Sequence, residues 1–63
     1  MKTRQVLDIQ DKGYHFSVIY FEGQANPYRI YRRWYDRGEH RKLCEKYADL
    51  NSCLWWFQQA NVF

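Results

Sequence analysis

The chain has 63 residues, of which 21% are aromatic, and its ten Lys and Arg residues outnumber seven Asp and Glu for a formal net charge of +3. It holds no apolar run approaching the ~20 residues that cross a bilayer. Apolar residues are needed for the core and basic residues are mixed with acidic ones, so we expect no membrane association. A chain of this length buries only about 60% of its unfolded surface. We therefore expect a core rich in aromatic rings or completed by a partner.

The start of the chain and the two cysteines predict where the protein works. Met1 is followed by charged and polar residues, without the apolar segment of a secretory signal peptide. Unpaired thiols are typical of a reducing compartment. We expect one domain over residues 1–63, a cytoplasmic setting, and Cys44 and Cys53 as free thiols.

The first third of the chain predicts a β-hairpin. Residues 3–10 alternate weakly between polar and apolar and end at Asp11-Lys12-Gly13, where Gly13 can take the positive φ of a tight turn. Residues 14–22 form a second strand with apolar side chains on both faces. Because a strand of this kind is usually covered on both sides, we expect it to be central in the sheet.

A third strand is predicted over residues 28–35, after a loop that ends at Pro27. Alternate residues of a strand point to opposite faces. One face carries Tyr28, Ile30, Arg32 and Trp34 and can pack on a core. The other face alternates cations and phenols and should point outward: Arg29, Tyr31, Arg33 and Tyr35.

Beyond residue 36 the apolar spacing becomes helical. Asp36 is predicted to be an N-cap, with Glu39 three residues later as in a capping box. Apolar residues recur at spacings of four, three, four and three, which predicts one helix over residues 37–59. These residues are Leu43, Tyr47, Leu50, Leu54 and Phe57, and His40 falls on the same helix face. The alternative is two shorter helices broken near Asp49–Ser52.

The predicted fold class is α+β, a three-stranded antiparallel β-meander packed on one long C-terminal α-helix. On a continuous helix, Trp55 and Trp56 would project away from the apolar stripe. Large exposed rings favour an interface. We expect a homodimer through these tryptophans and the second face of strand two, with Ile19 and Phe21 as further contacts.

Positive charge is concentrated in residues 29–46, which hold seven Lys and Arg against three acidic residues. Arginines that alternate with rings on a strand can contact phosphates while the rings stack on bases. In layout, though not in motifs, strands followed by a helix resemble small DNA-binding domains of integrases and some plant transcription factors. The candidate nucleic-acid-binding residues are Arg29, Tyr31, Arg33, Tyr35, Arg37 and Arg41. The alternative is an edge strand guarded by cations.

Signals for chemistry are weak. His40 and Cys44, four residues apart, make half of a metal site, and no third ligand or oriented catalytic base accompanies them. We expect no catalytic residue, no metal and no cofactor. The sequence thus favours a small non-enzymatic interaction module, homodimeric and presenting an aromatic surface to protein partners, with nucleic-acid binding as the alternative.

Overall fold

The computed structural model describes residues 2–11 and 13–62, and within them four antiparallel strands form one sheet, followed by one helix. The strands are adjacent in the order of the chain. The α+β class is confirmed, whereas the predicted count of three strands is wrong. The elements are β1 (Thr3–Asp11), β2 (Tyr14–Phe21), β3 (Tyr28–Tyr35), β4 (Glu39–Tyr47) and α1 (Leu50–Gln59).

The first hairpin forms where its turn chemistry predicts. Asp11 pairs with Tyr14, and Gly13 has a φ of 81°, a conformation that glycine adopts without a steric penalty. Lys12, which belongs to the predicted turn triplet, lies outside the described residues. β2 pairs with β1 on one side and β3 on the other, as expected for a strand that is apolar on both faces.

The predicted helix start at Asp36 is wrong, because the chain turns back there as a second tight hairpin. Arg37 and Gly38 have φ values of 56° and 129°, and the Asp36 amide donates to the Gly38 carbonyl over 3.0 Å. Two consecutive residues with positive φ are typical of hairpin turns that match strand twist. Glu39, expected to complete a capping box, instead pairs with Tyr35 across the hairpin.

The residues after this turn form β4, so the predicted continuous helix over 37–59 is also wrong. The ladder shifts register between Ile30 and Tyr31, whose partners are Glu45 and Leu43. One extra residue in a strand reverses which face its later side chains occupy. Leu43 therefore lies opposite Tyr31, and Tyr47 lies opposite Tyr28 on the other face of the sheet. The spacing of four between Leu43 and Tyr47 also fits a helix, which is why the sequence predicted one.

α1 begins where the two-helix alternative placed a break. The Asp49 carboxylate accepts from the Ser52 amide over 2.7 Å and caps the helix, and these hydrogen bonds lower the Asp49 pKa. At the other end Asn61 has a φ of 58°, and the Val62 amide donates to the Phe57 carbonyl over 3.0 Å. This left-handed C-terminal turn satisfies carbonyls of the last helical turn.

The core lies between α1 and one face of the sheet. Phe16 and Phe57 meet edge to face with ring centroids 5.7 Å apart, and Trp56 packs against both. The buried hydrophobic residues are Phe16, Val18, Ile30, Cys53, Phe57 and Val62. Since Val18, Ile30, Cys53 and Val62 are buried in the same cluster as the two phenylalanines, the core is mixed and not built from rings alone.

The sheet thus has two unlike sides. We call the side packed on α1, with Phe16, Val18 and Ile30, the covered face. The side that alternates with it is the open face, which no helix in residues 2–11 and 13–62 covers. Strand pairing puts on it Asp8, His15, Ser17, Ile19, Phe21, Arg29, Tyr31, Arg33, Tyr35, Glu39, Arg41, Leu43 and Lys46. None of the described helices is long and apolar enough to cross a membrane.

Candidate nucleic-acid interface

The predicted arginine and tyrosine face of the third strand lies on the open face. Ile30 is fully buried beneath α1, so the residues alternating with it point away from the helix. Arg41 joins the face from β4, where it is paired with Arg33. Arg37 lies in the exposed β3–β4 turn, not at a helix start.

A buried serine anchors the middle of the open face. Ser17 has no solvent-exposed surface, and its hydroxyl makes two hydrogen bonds. It donates to Asp8 Oδ1 over 3.1 Å and accepts from Arg33 Nη1 over 3.3 Å. His15 Nε2 lies 2.8 Å from the same Asp8 oxygen, and Gln10 donates to the other oxygen over 3.3 Å. These bonds tie β1, β2 and β3 together around the buried Ser17 hydroxyl.

The network continues to β4 through a salt bridge between Arg33 and Glu39. Burial opposes ionisation of Asp8, but the hydrogen bonds from His15, Gln10 and Ser17 outweigh it and lower the Asp8 pKa. The hydrogen bond to Glu39 raises the Arg33 pKa. Both carboxylates of the open face are therefore engaged with cationic or donor groups of the same face.

Two other arginines of the open face lie on aromatic rings. The Arg29 guanidinium carbon is 4.3 Å from the Phe21 ring centroid, and that of Arg41 is 5.0 Å from the Tyr31 centroid. The Phe21 and Tyr31 centroids are 6.4 Å apart, so rings and guanidinium groups form one continuous patch. We call Phe21, Arg29, Tyr31 and Arg41 the stacked patch.

The stacked patch carries charge that the described side chains do not neutralise. Arg29 Nη2 lies 3.5 Å from the Gln24 amide oxygen, and no described carboxylate is within salt-bridge distance of Arg29 or Arg41. The Nε atoms of Arg29 and Arg33 are buried without a hydrogen-bond partner among those residues. Lys46 adds a cation opposite Arg29. The patch is suited to an anionic ligand that also offers flat groups.

The residues predicted for a dimer interface do not form one surface. Trp56 is half-buried against Phe16 and Phe57, whereas Trp55 is 55% exposed on the outer side of α1. Ile19 and Phe21 are half-buried on the open face, across the sheet from the helix. A contact made by Trp55 is therefore separate from one made by Ile19 and Phe21.

The two cysteines and His40 lie in three different environments. Both thiols are free, with Cys44 exposed on β4 and Cys53 buried in α1, where burial raises the Cys53 pKa to about 11. His40 stacks on Trp34 at a centroid distance of 5.5 Å, beside β3 and not on a helix. Across residues 2–11 and 13–62 no group of three or more His, Cys, Asp or Glu side chains could hold a metal ion.

Sequence patterns alone missed the hydrogen-bond network around Ser17 and one cation. The signal for the network was available, because a hairpin in which Asp11 pairs with Tyr14 also brings Asp8 opposite Ser17. Lys46 was missed because its segment was predicted to be helical, and only the β4 register puts it beside Arg29. Comparison with protein-family models, with curated proteins and with solved structures finds no match to this chain.

Proposed function

We propose that the protein is a non-enzymatic nucleic-acid-binding protein and that the open face of its sheet is the binding surface. The observation that carries this proposal is the position of α1, which covers one face and leaves the arginine and tyrosine face free. The residues assigned to binding are Arg29, Tyr31, Arg33, Tyr35 and Arg41 on that face, with Arg37 at its rim in the β3–β4 turn.

The chemistry of the open face supports an anionic ligand. Guanidinium and ammonium groups supply most of the affinity of nucleic-acid-binding proteins through contacts to phosphates. Arg29, Arg41 and Lys46 have no carboxylate partner among the described side chains, so their charge is available. Aromatic side chains on a sheet supply stacking surfaces beside those cations.

The same charge makes a protein partner a weaker assignment for this face. The buried centre of a protein interface is depleted of charged residues. Here the half-buried Phe21 ring lies under the Arg29 guanidinium, and Tyr31 lies under Arg41. Covering this patch with apolar protein surface would desolvate two cations without neutralising them, which is costly.

Binding to a nucleic acid should weaken steeply with salt. A titration of a labelled oligonucleotide at about 50, 100 and 200 mM salt measures the slope of log K against log salt, which is about −0.7 to −0.9 for each phosphate contacted. Since three cations of the open face lack a carboxylate partner among residues 2–11 and 13–62, we expect a slope of about −2 to −3. Absence of binding at the lowest salt concentration would contradict the proposal.

A protein contact is the second candidate function, and the exposure of Trp55 favours it. This indole is 55% exposed on α1, and tryptophan is enriched at interfaces. A homodimer formed through α1 would leave the open face free. The two free thiols support the cytoplasmic setting proposed for either function, because that compartment keeps cysteines reduced.

The dimer predicts a change in mass when Trp55 is replaced. At high micromolar concentration the wild type should sediment as a dimer, and Trp55→Ala should sediment as a monomer, because the variant loses its largest exposed contact without disturbing the core. Tyr35→Ala, which removes an exposed ring from the open face across the sheet from α1, is the matched control and should remain dimeric. A monomeric wild type would eliminate the dimer.

A further inference from the structure

The two rings of the stacked patch belong to the central strands of the sheet. Phe21 belongs to β2 and Tyr31 to β3, and these strands are flanked by β1 and β4. With neighbouring strands about 4.8 Å apart, the axes of the outer strands are about 14 Å apart. A ligand reaches the rings of the patch only when it lies flat on the open face.

This geometry does not suit a nucleic-acid duplex. The DNA major groove is about 12 Å wide and admits an α-helix or a two-stranded ribbon, which is narrower than this four-stranded sheet. The faces of bases in a duplex are stacked on one another and cannot meet a protein ring, whereas a single strand can splay its bases onto aromatic side chains. The rings of the patch therefore match single strands.

The spacing of the cations also fits a strand of several nucleotides. Arg29 faces Lys46, and Arg33 faces Arg41, so the open face has two cross-strand cation pairs on either side of Tyr31. Four residues of β3 separate the pairs, which is about 13 Å at the rise of a strand. A single strand carries a phosphate at every nucleotide, so one that runs along β3 can place phosphates at both pairs while a base between them reaches Tyr31.

We propose that the ligand of the open face is single-stranded nucleic acid, which runs along β3 with bases on the rings and phosphates at the two cation pairs. This inference rests on the proposed function. A base takes the place of a guanidinium on its ring, and the displaced Arg29 or Arg41 turns to a phosphate. Tyr35, which is 68% exposed on the same face, offers a further ring.

Fluorescence anisotropy with labelled oligomers of about 12 nucleotides tests this assignment. One mixed sequence is prepared as single-stranded DNA, single-stranded RNA and the corresponding duplexes. We expect either single strand to bind at least about ten-fold more tightly than its duplex. The ratio of the two single-strand affinities then shows whether the 2′-hydroxyl contributes.

Variants of Tyr35 separate stacking from charge, since neither removes a cation. Tyr35→Leu should weaken single-strand binding by about five-fold or more, and Tyr35→Phe should retain it, because a base stacks on either ring. Duplex binding equal to or tighter than single-strand binding would overturn this inference and leave the proposed function standing. No binding to any of the four probes at low salt would overturn both.

Discussion

Arg33 links the buried Ser17 hydroxyl to the exposed Glu39 carboxylate of the open face. Its guanidinium donates to the buried Ser17 hydroxyl and forms a salt bridge with Glu39. Removing it would leave a buried hydroxyl with one fewer partner and a carboxylate without its cation. Arg33 is therefore a poor residue with which to test binding, whereas Arg29 and Arg41 lie on rings and bond neither a buried hydroxyl nor a carboxylate among the described residues.

Asp8 should make stability depend on pH. Burial raises the Asp8 pKa, but hydrogen bonds from His15, Gln10 and Ser17 outweigh this effect and lower the pKa in the folded chain. The ionised Asp8 carboxylate therefore stabilises the fold at any pH above the pKa of the unfolded chain, about 3.9. This stabilisation is lost as the pH falls through the folded pKa. We expect Asp8→Asn to lower the free energy of unfolding by about 1 kcal/mol at pH 7, and the difference to narrow below about pH 4.

Urea unfolding at pH 7, 5 and 3 measures this difference. Asp36→Asn removes the same charge from the exposed β3–β4 turn and controls for the change in net charge. A difference between Asp8→Asn and wild type that is as large at pH 3 as at pH 7 would show that the Asp8 charge does not support the fold.

The C-terminal turn of α1 gives a prediction for an element. Asn61 holds a φ of 58°, which costs a residue with a Cβ about 1–2 kcal/mol unless its side chain is suited to that conformation. Thermal unfolding should show Asn61→Ala less stable than wild type by about 1 kcal/mol and Asn61→Gly at least as stable as wild type. If alanine were tolerated and glycine were not, the left-handed turn would not form in solution.

Strands and helix differed in how far the sequence could predict them. β1, β2 and β3 follow from alternation and turn residues, and the N-terminus of α1 matches the break near Asp49–Ser52 in the two-helix alternative. β4 was missed because Leu43 and Tyr47 continue a helical spacing into α1, while their separation onto two faces depends on the register shift opposite Ile30 and Tyr31. Such a shift is a property of the paired strands and leaves no local signal in either.

At the scale of the molecule, the sequence predicted the outward face of β3 but not what surrounds it. Alternation along β3 alone places Arg29 and Tyr31 on the face opposite to that of Ile30. The companions from β2 and β4 depend on strand pairing, so the stacked patch and Lys46 emerged only in three dimensions. The interface expected from Trp55, Trp56, Ile19 and Phe21 remains a prediction, with its residues on two sides of the fold.

The most direct test of the open face compares two double variants that remove equal charge from β3 and β4. Arg29→Ala with Arg41→Ala removes both guanidinium groups of the stacked patch, whereas Arg32→Ala with Lys42→Ala removes cross-strand partners that point to the covered face. Both pairs lower the net charge by the same amount, so non-specific attraction changes equally.

Binding of a labelled single-stranded oligonucleotide at low salt is the measurement. Because each lost contact between a guanidinium and a phosphate costs about 1.5–3 kcal/mol, the open-face pair should weaken binding by roughly a hundred-fold or more, and the covered-face pair by only a few-fold. Equal losses from the two pairs, or a larger loss from the covered-face pair, would contradict the assignment of the open face as the binding surface.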